Sequence, residues 1–267
     1  MKLKMRLARF GEDLTSGELA RRQPQLAAVL SWLLNFVLGI LLSAVPLLDG
    51  CGPFGVAVVS QAGTQVSGML CAIGAGLGYL LFFGFENGIK YVSAVILVFT
   101  AAYVFRELRV YRTVWFMPLL AAFFTLLTGV LTSAEGNRGW ALLLPLLLQT
   151  LFAFGSSYFF REALSDARRD TETAELRHMV ALAFLCACVL MALSGVKLGR
   201  LLSLGRVLAV LAVMLTAFKG GALSGCAVGL TLGLGMDVVS LETPFFAMAY
   251  GVCGLISGVF SKHGRLL

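Results

Sequence analysis

Long apolar runs occupy most of this chain, and its charged residues are largely confined to the breaks between them. Hydrophobic residues make up 59% of the 267 residues, whereas charged residues make up only 13%. A soluble domain is about 45–50% apolar and about 25% charged. This chain is more apolar than a water-soluble fold requires, and it is therefore predicted to be an integral membrane protein.

The apolar runs are predicted to be helices, because a backbone exposed to lipid must satisfy its own hydrogen bonds. About 20 residues cross a hydrocarbon core of about 30 Å. The run at 53–62 is shorter than this, so a crossing and a re-entrant hairpin both stay open. The predicted fold is an all-α, polytopic transmembrane bundle of about ten segments, at residues 26–48, 53–62, 66–84, 89–105, 113–132, 140–160, 178–195, 203–217, 220–236 and 244–261.

The distribution of charge divides the chain into three regions. Residues 1–25 form a basic tail, residues 26–261 form the transmembrane helical domain, and residues 262–267 form a short basic end. The tail is not followed by a short apolar stretch with a cleavage site, so the first apolar run is expected to remain as an anchor.

Basic residues predict the orientation. With ten crossings and a cytoplasmic N-terminus, sixteen of the 21 Lys and Arg residues lie on the cytoplasmic side, as the positive-inside rule requires. Both termini are then cytoplasmic. The basic stretch at 196–206 would lie outside, which indicates either an interfacial segment or a different number of crossings nearby. The predicted cytoplasmic charge anchors are Arg106, Arg109, Arg112, Arg168, Arg169, Lys262 and Arg265.

Glycine is a poor helix former in water, yet the apolar stretch SGCAVGLTLGLG at 224–235 contains four glycines. The stretch SGMLCAIGAGLG at 67–78 shares its S-G-x7-G-L-G pattern, which predicts an internal repeat. Glycines spaced by four lie on one helix face and let helices approach closely in lipid. The predicted helix-packing residues are Gly68, Gly74, Gly78, Gly225, Gly229, Gly233, Gly254 and Gly258.

Residue patterns for catalysis are not found in the sequence. His178 and His263 lie at predicted helix ends, and the chain has no phosphate-binding loop, HExxH or GxSxG motif. No catalytic residue, metal site or cofactor is therefore predicted. The main polar side chains within the apolar runs, which a solute path would need, are Asn35, Gln61, Gln65 and Gln149.

The C-terminal third resembles the end of the membrane region of stage II sporulation protein E. The resemblance rests on KGGALSGCAVGLTLGLGMD at 219–237 and TPFFAMAYGVCGLISGVFSKHGR at 243–265, which form a glycine-rich helix, a short outer loop and a second helix ending in basic residues. The earlier stretch GPFGVAVVSQAG at 52–63 is similar to the element that opens the same region. The resemblance covers residues 26 to 265 and is strongest in the last fifty.

In that family the membrane region precedes a manganese-dependent serine/threonine phosphatase domain. The family acts at the asymmetric division septum of spore-forming bacteria, where it contacts a tubulin-like division protein. The resemblance implies a multi-pass protein of the bacterial cell membrane, with cytoplasmic segments that contact a cell-division protein. No phosphatase motif occurs in these 267 residues, so the chain is expected to be either a fragment or a separate membrane module.

Two functions remain open. The first is a non-enzymatic membrane anchor and oligomerisation module, whose partners are the lipid bilayer and further copies of itself. The second is a small-molecule transporter or channel component. A nucleic-acid partner is not expected, because the positive charges flank apolar runs.

Overall fold

The computed structural model of the protein describes residues 24–47, 50–133, 143–165, 172–195, 197–198, 202–240 and 245–263. Nearly all of these residues are helical, which confirms the predicted all-α class. They also include two antiparallel two-residue strands, β1 (Lys197–Leu198) and β2 (Leu202–Ser203). The helices are α1 (Pro24–Ser43), α2 (Pro53–Gln61), α3 (Val66–Phe105), a 3-10 helix (Arg109–Arg112), α4 (Phe116–Ser133), α5 (Leu143–Leu164), α6 (Glu172–Ser194), α7 (Leu204–Ser240) and α8 (Phe245–His263).

Helix α3 is interrupted at Gly84, where φ is 74° and ψ is 175°. Only glycine adopts this backbone conformation readily. The rings of Tyr79 and Tyr91 stack with their centroids 4.8 Å apart, although a straight helix would separate the two residues by about 18 Å. The chain therefore reverses at Gly84, and α3 is an antiparallel hairpin of two helices, 66–83 and 85–105.

Helix α7 reverses in the same way at Gly221, where φ is 84° and ψ is −176°. Ser224 Oγ lies 3.4 Å from the carbonyl oxygen of Thr216, to which it donates a hydrogen bond across the break. A Cβ added at Gly225 would lie 2.8 Å from Ala217 Cα. Helix α7 is therefore also a hairpin, formed by residues 204–220 and 222–240.

Helix α1 and the first half of α3 run in the same direction. Gly74 packs against the backbone of Phe36, and Gly78 packs against the backbone of Ile40. Equal steps of four residues on both helices require a parallel pair. Helix α2 therefore carries the chain back from the end of α1 to the start of α3.

Helices α4 and α5 are antiparallel. The ring of Trp115, beside the start of α4, stacks on Tyr158 near the end of α5, with centroids 5.4 Å apart. At the other end of the pair, Gly129 of α4 faces the side chain of Leu146. The end of α2, the start of α4 and the end of α5 lie at the same end of the bundle, because Gln61, Met117 and Arg161 line one cavity.

The larger apolar core surrounds α2. All residues from Pro53 to Ser60 are buried, and Phe54 contacts the rings of Phe160 in α5 and Phe184 in α6. A smaller core joins α7 to α8 and consists of Ala209, Val213, Leu232, Met236 and Tyr250. A nine-residue helix is thus the central element of the larger helical group.

The described residues contain helices suited to a bilayer. Large apolar side chains point outward, among them Leu81, Phe218 and Leu223 with exposed fractions of 74%, 72% and 86%. Four described helices are long and apolar enough to cross a membrane, namely Val66–Phe105, Leu143–Leu164, Arg177–Ser194 and Leu204–Val238. Three shorter apolar helices cover Ala28–Ser43, Phe116–Thr132 and Phe245–Ser261. Length and composition therefore support a membrane protein, but they do not support the predicted number of about ten segments.

The reversal at Gly84 leads to a stability prediction. Gly84→Ala should lower the thermal unfolding midpoint in detergent, because a Cβ at this φ is strained by about 1–3 kcal/mol. Neighbouring atoms do not contribute, since no heavy atom lies within 4 Å of the added Cβ. Gly76→Ala is the matched control, because Gly76 lies on the same helix with equally open space. Equal midpoints for the two variants would contradict a strained reversal at Gly84.

Candidate functional site

A seam of small residues joins the second half of α7 to α8. A Cβ added at Gly229 would lie 2.6 Å from the carbonyl carbon of Tyr250, and one at Gly225 would lie 2.8 Å from the carbonyl oxygen of Gly254. Backbone atoms cannot move aside as a flexible side chain can, so only glycine fits at these positions. Residue numbers rise along α7 as they fall along α8, which makes the pair antiparallel. The seam pairs Ala222 with Gly258, Gly225 with Gly254, Gly229 with Tyr250 and Gly233 with Ala247.

The first glycine stripe packs differently. Gly74 and Gly78 lie against α1, whereas Gly68 lies against Gly63 in the turn between α2 and α3. Gly39 of α1 completes this seam, because a Cβ there would lie 2.9 Å from the amide nitrogen of Ala75. Gly39 was not a candidate from the sequence, because α1 has no glycine periodicity that could have indicated it.

The two S-G-x7-G-L-G stretches do not have equivalent surroundings. The pattern aligns Gly76 with Gly233, yet Gly76 has open space, whereas Gly233 contacts the backbone of α8. It aligns Gly78 with Gly235, yet Gly78 contacts α1, whereas the nearest atom to a Cβ at Gly235 is Met191 Sδ at 3.2 Å. At each of these two positions only one of the matched glycines contacts the backbone of a neighbouring helix. The predicted repeat therefore has no support in the packing.

Two tyrosines hold the start of α2. Tyr79 Oη accepts a hydrogen bond from the Val56 amide at 3.0 Å and donates one to the carbonyl oxygen of Gly52. Tyr91 Oη accepts a hydrogen bond from the Gly52 amide at 3.1 Å. The Gly52 amide at the N-cap has no partner within the helix, and the Tyr91 hydroxyl supplies one, whereas the Tyr79 hydroxyl bridges the Val56 amide and the Gly52 carbonyl oxygen in the first turn. Neither tyrosine was a candidate from the sequence, because their partners are backbone atoms distant along the chain.

Side chains also hold the end of α2. Ser60 Oγ and Ser157 Oγ lie 2.6 Å apart and share a hydrogen bond, although 97 positions separate them along the chain. Gln61 Nε2 donates to Ser157 Oγ at 2.8 Å. The end of α2 is thereby joined to the C-terminal half of α5. A continuous polar cluster forms from three residues that lie in two apolar runs.

The polar residues considered for a solute path do not converge. Gln149 of α5 lies next to the start of α2, and its Oε1 accepts a hydrogen bond from Tyr91 Oη at 3.3 Å. Gln61 and Gln65 lie at the other end of α2 and line one cavity. Asn35 donates to the carbonyl oxygen of Ser31 on its own helix. The rise of an α-helix over the length of α2 separates the two polar ends by about 13 Å.

A buried carboxylate has a structural contact within the bundle. Asp237, near the end of α7, accepts hydrogen bonds from the amides of Phe246 at 2.9 Å and Ala247 at 2.8 Å. These amides belong to the first turn of α8, where a carboxylate is favoured by both hydrogen bonding and the helix dipole. Asp237 therefore fixes the start of α8 next to the glycine seam.

The predicted charge anchors are only partly described. Arg106 and Arg109 are exposed between α3 and α4, at the end of the bundle that contains the end of α2. Arg112 lies in the 3-10 helix and Lys262 lies in the last turn of α8. Arg168, Arg169 and Arg265, the tail at 1–23 and the last four residues lie outside the described residues.

Comparison with known proteins does not assign the chain to a family. It matches no family model, no curated protein and no solved structure. Within the described ranges, no group of three or more His, Cys, Asp or Glu side chains is placed to hold a metal ion. The site can therefore be interpreted only from its own geometry, which is that of helices joined through glycines and hydroxyl groups.

The seam between α7 and α8 leads to the second prediction. Gly229→Ala should lower the unfolding midpoint in detergent, because the added Cβ meets the Tyr250 backbone and the two helices must separate. Overpacking of this kind costs about 1–3 kcal/mol. Gly155→Ala is the control, since Gly155 is a helical glycine with no heavy atom within 4 Å of an added Cβ. The seam would be disproved if Gly229→Ala unfolded at the temperature of the control.

The tyrosine contacts lead to the third prediction. Tyr79→Phe should destabilise the protein by about 1–3 kcal/mol, because the buried Val56 amide and Gly52 carbonyl both lose their hydroxyl partner. The comparison is Tyr103→Phe, which removes a hydroxyl from a side chain that is 63% exposed and should leave the unfolding midpoint unchanged. Identical midpoints for these two variants would show that Tyr79 does not hold α2.

Proposed function

We propose that this chain is a non-enzymatic membrane scaffold that anchors a soluble activity to the bilayer. The observation that carries the proposal is that the polar side chains at both ends of α2 form hydrogen bonds between helices. Tyr79 and Tyr91 bind its first residues, and Ser157 binds its last ones. These contacts hold helices together, as an anchor requires, and leave the groups engaged with the protein itself.

About ten crossings form part of the proposal, and the helix directions support them. The hairpins at Gly84 and Gly221 each supply two antiparallel helices where length alone counts one. Helices α5 and α6 are also antiparallel, because the Glu162 carbonyl near the end of α5 lies 2.9 Å from His178 Nδ1 near the start of α6. With α2 as a traversing segment, the direction alternates from α1 to α8. Both termini then lie on the side of Arg106, which the positive-inside rule makes cytoplasmic.

The resemblance to the membrane region of stage II sporulation protein E extends the proposal. The chain would be the membrane module of a sporulation phosphatase in a bacterial cell membrane, located at the division septum. Self-association and contact with a cell-division protein through cytoplasmic segments belong to the same proposal and rest on this resemblance alone. The phosphatase activity itself is assigned to no residue of this chain.

A transporter or channel component is the second candidate. It is supported by the discontinuity of α2, since short helices with polar ends form the binding sites of many transporters. Reconstituted vesicles separate the two candidates. A passive pore would release glycerol or potassium chloride faster than protein-free vesicles do, whereas a scaffold would leave the release rate unchanged.

The scaffold proposal predicts the location of two reporters. A reporter fused after Leu267, or inserted next to Arg168, should be found at the membrane and on its cytoplasmic side, because ten crossings return the chain to the side from which it started. A reporter inserted at 136, between α4 and α5, is the matched control and should be found outside. An external reporter at either of the first two positions would contradict the ten-crossing scaffold.

A further inference from the structure

Two adjoining cavities lie at the end of α2, among the contacts that hold this helix. The larger has a volume of about 370 Å³ and the smaller about 230 Å³. Gln61 and Tyr111 line both cavities, so the two form one cleft. Its walls come from the end of α2, the turn that leads into α3, the segment between α3 and α4, and the end of α5. A volume of several hundred Å³ is typical of a small-ligand site.

The groups that line this cleft are suited to an anion. Arg106 lines the larger cavity and Arg161 lines the smaller. Arg161 is held in place, since its Nη1 donates to the carbonyl oxygen of Thr113 at 2.8 Å. The described lining residues otherwise provide hydroxyl and amide groups with apolar side chains, and none of them is Asp or Glu. Guanidinium and hydroxyl groups are the usual partners of phosphate oxygens.

The N-terminus of α3 adds positive electrostatic potential to the larger cavity. Gln65, at the N-cap of α3, lines the larger cavity but makes no side-chain hydrogen bond to cap the helix. The amides of the first turn are therefore not capped by the Gln65 side chain. A helix N-terminus carries partial positive charge and attracts anions. Arg106 and this helix end thus line one cavity.

The cleft lies at the depth where lipid headgroups are expected. Trp115, 53% exposed at the same end of the bundle, stacks on Phe154 and Tyr158 of α5. Tryptophan and tyrosine are concentrated at the interface between lipid and water. Trp115 lies in the chain between Tyr111 and Met117, which both line the cleft.

We propose that this cleft binds a phosphate group, the chemistry shared by an anionic lipid headgroup and a soluble phosphate ester. Arg106 supplies the charge in the larger cavity, and Tyr111 and the start of α3 supply donors. The inference does not depend on the scaffold function, since a channel component could contain the same site.

The test uses the full chain in phosphate-free maltoside detergent micelles at constant ionic strength. In one arm phosphatidylglycerol is titrated, and in the other sodium phosphate, with the shift of the unfolding midpoint as the readout. Arg106→Gln should raise about tenfold the ligand concentration that gives half of the maximal midpoint shift, because a charge-assisted hydrogen bond is lost. Arg109→Gln is the matched control, since Arg109 is exposed like Arg106 but lines neither cavity. Tyr111→Phe is a second variant that removes one hydroxyl.

Each outcome decides the proposal. A saturable response to phosphatidylglycerol that Arg106→Gln weakens and Arg109→Gln retains would support the site and identify a lipid headgroup as the ligand. The same pattern with sodium phosphate alone would support the site and identify a soluble anion. The proposal is overturned if neither arm shifts the midpoint. It is equally overturned if Arg109→Gln weakens the response as much as Arg106→Gln does.

Discussion

The larger helical group depends on hydrogen bonds that hold a short helix inside an apolar environment. Helix α2 has only nine residues, so a large share of its backbone groups lie at its ends and lack partners within the helix. In hydrocarbon each unsatisfied group costs several kcal/mol. The hydroxyl groups of Tyr79 and Tyr91, whose rings stack within the hairpin at Gly84, bind backbone groups at the start of α2. Because α1, α3, α4 and α5 all pack on α2, holding its ends also positions these helices.

Close backbone contact at glycines provides the second type of connection. Association of helices in lipid relies on van der Waals packing, for which small residues are the main requirement. One seam joins α1 to α3 through Gly39, Gly74 and Gly78, and the other joins α7 to α8 through Gly225, Gly229 and Gly233. The seams share a type of contact but not an arrangement, since the first pair is parallel and the second is antiparallel. Similar glycine patterns in two helices therefore do not imply similar neighbours.

The two ends of α2 differ in their surroundings. At its start, Tyr79, Tyr91 and Gln149 form a compact group with backbone atoms. At its end, Ser60 and Gln61 hold α5 but also border a cleft that contains arginine side chains. The start of α2 thus has a purely structural contact, whereas its end borders the cleft whose arginine, hydroxyl and amide groups could bind a ligand. This division explains why Gln149 and Gln61, two of the polar residues predicted for one solute path, serve separate purposes.

The sequence by itself determined the fold class and the residues able to form seams. Apolar runs in lipid can satisfy their backbone only as helices, and glycines at a spacing of four must share a helix face. Only the tertiary structure decided which surfaces meet. It paired Gly74 with Phe36, left Gly76 uncovered, and brought Ser60 to Ser157. These contacts join positions far apart in the chain, and a local pattern carries no information about the partner that approaches from elsewhere. The predicted segments 66–84, 89–105, 203–217 and 220–236 already indicated breaks near Gly84 and Gly221. They did not identify the residue at which the chain reverses, because a glycine in an apolar run is compatible with both a continuous helix and a turn.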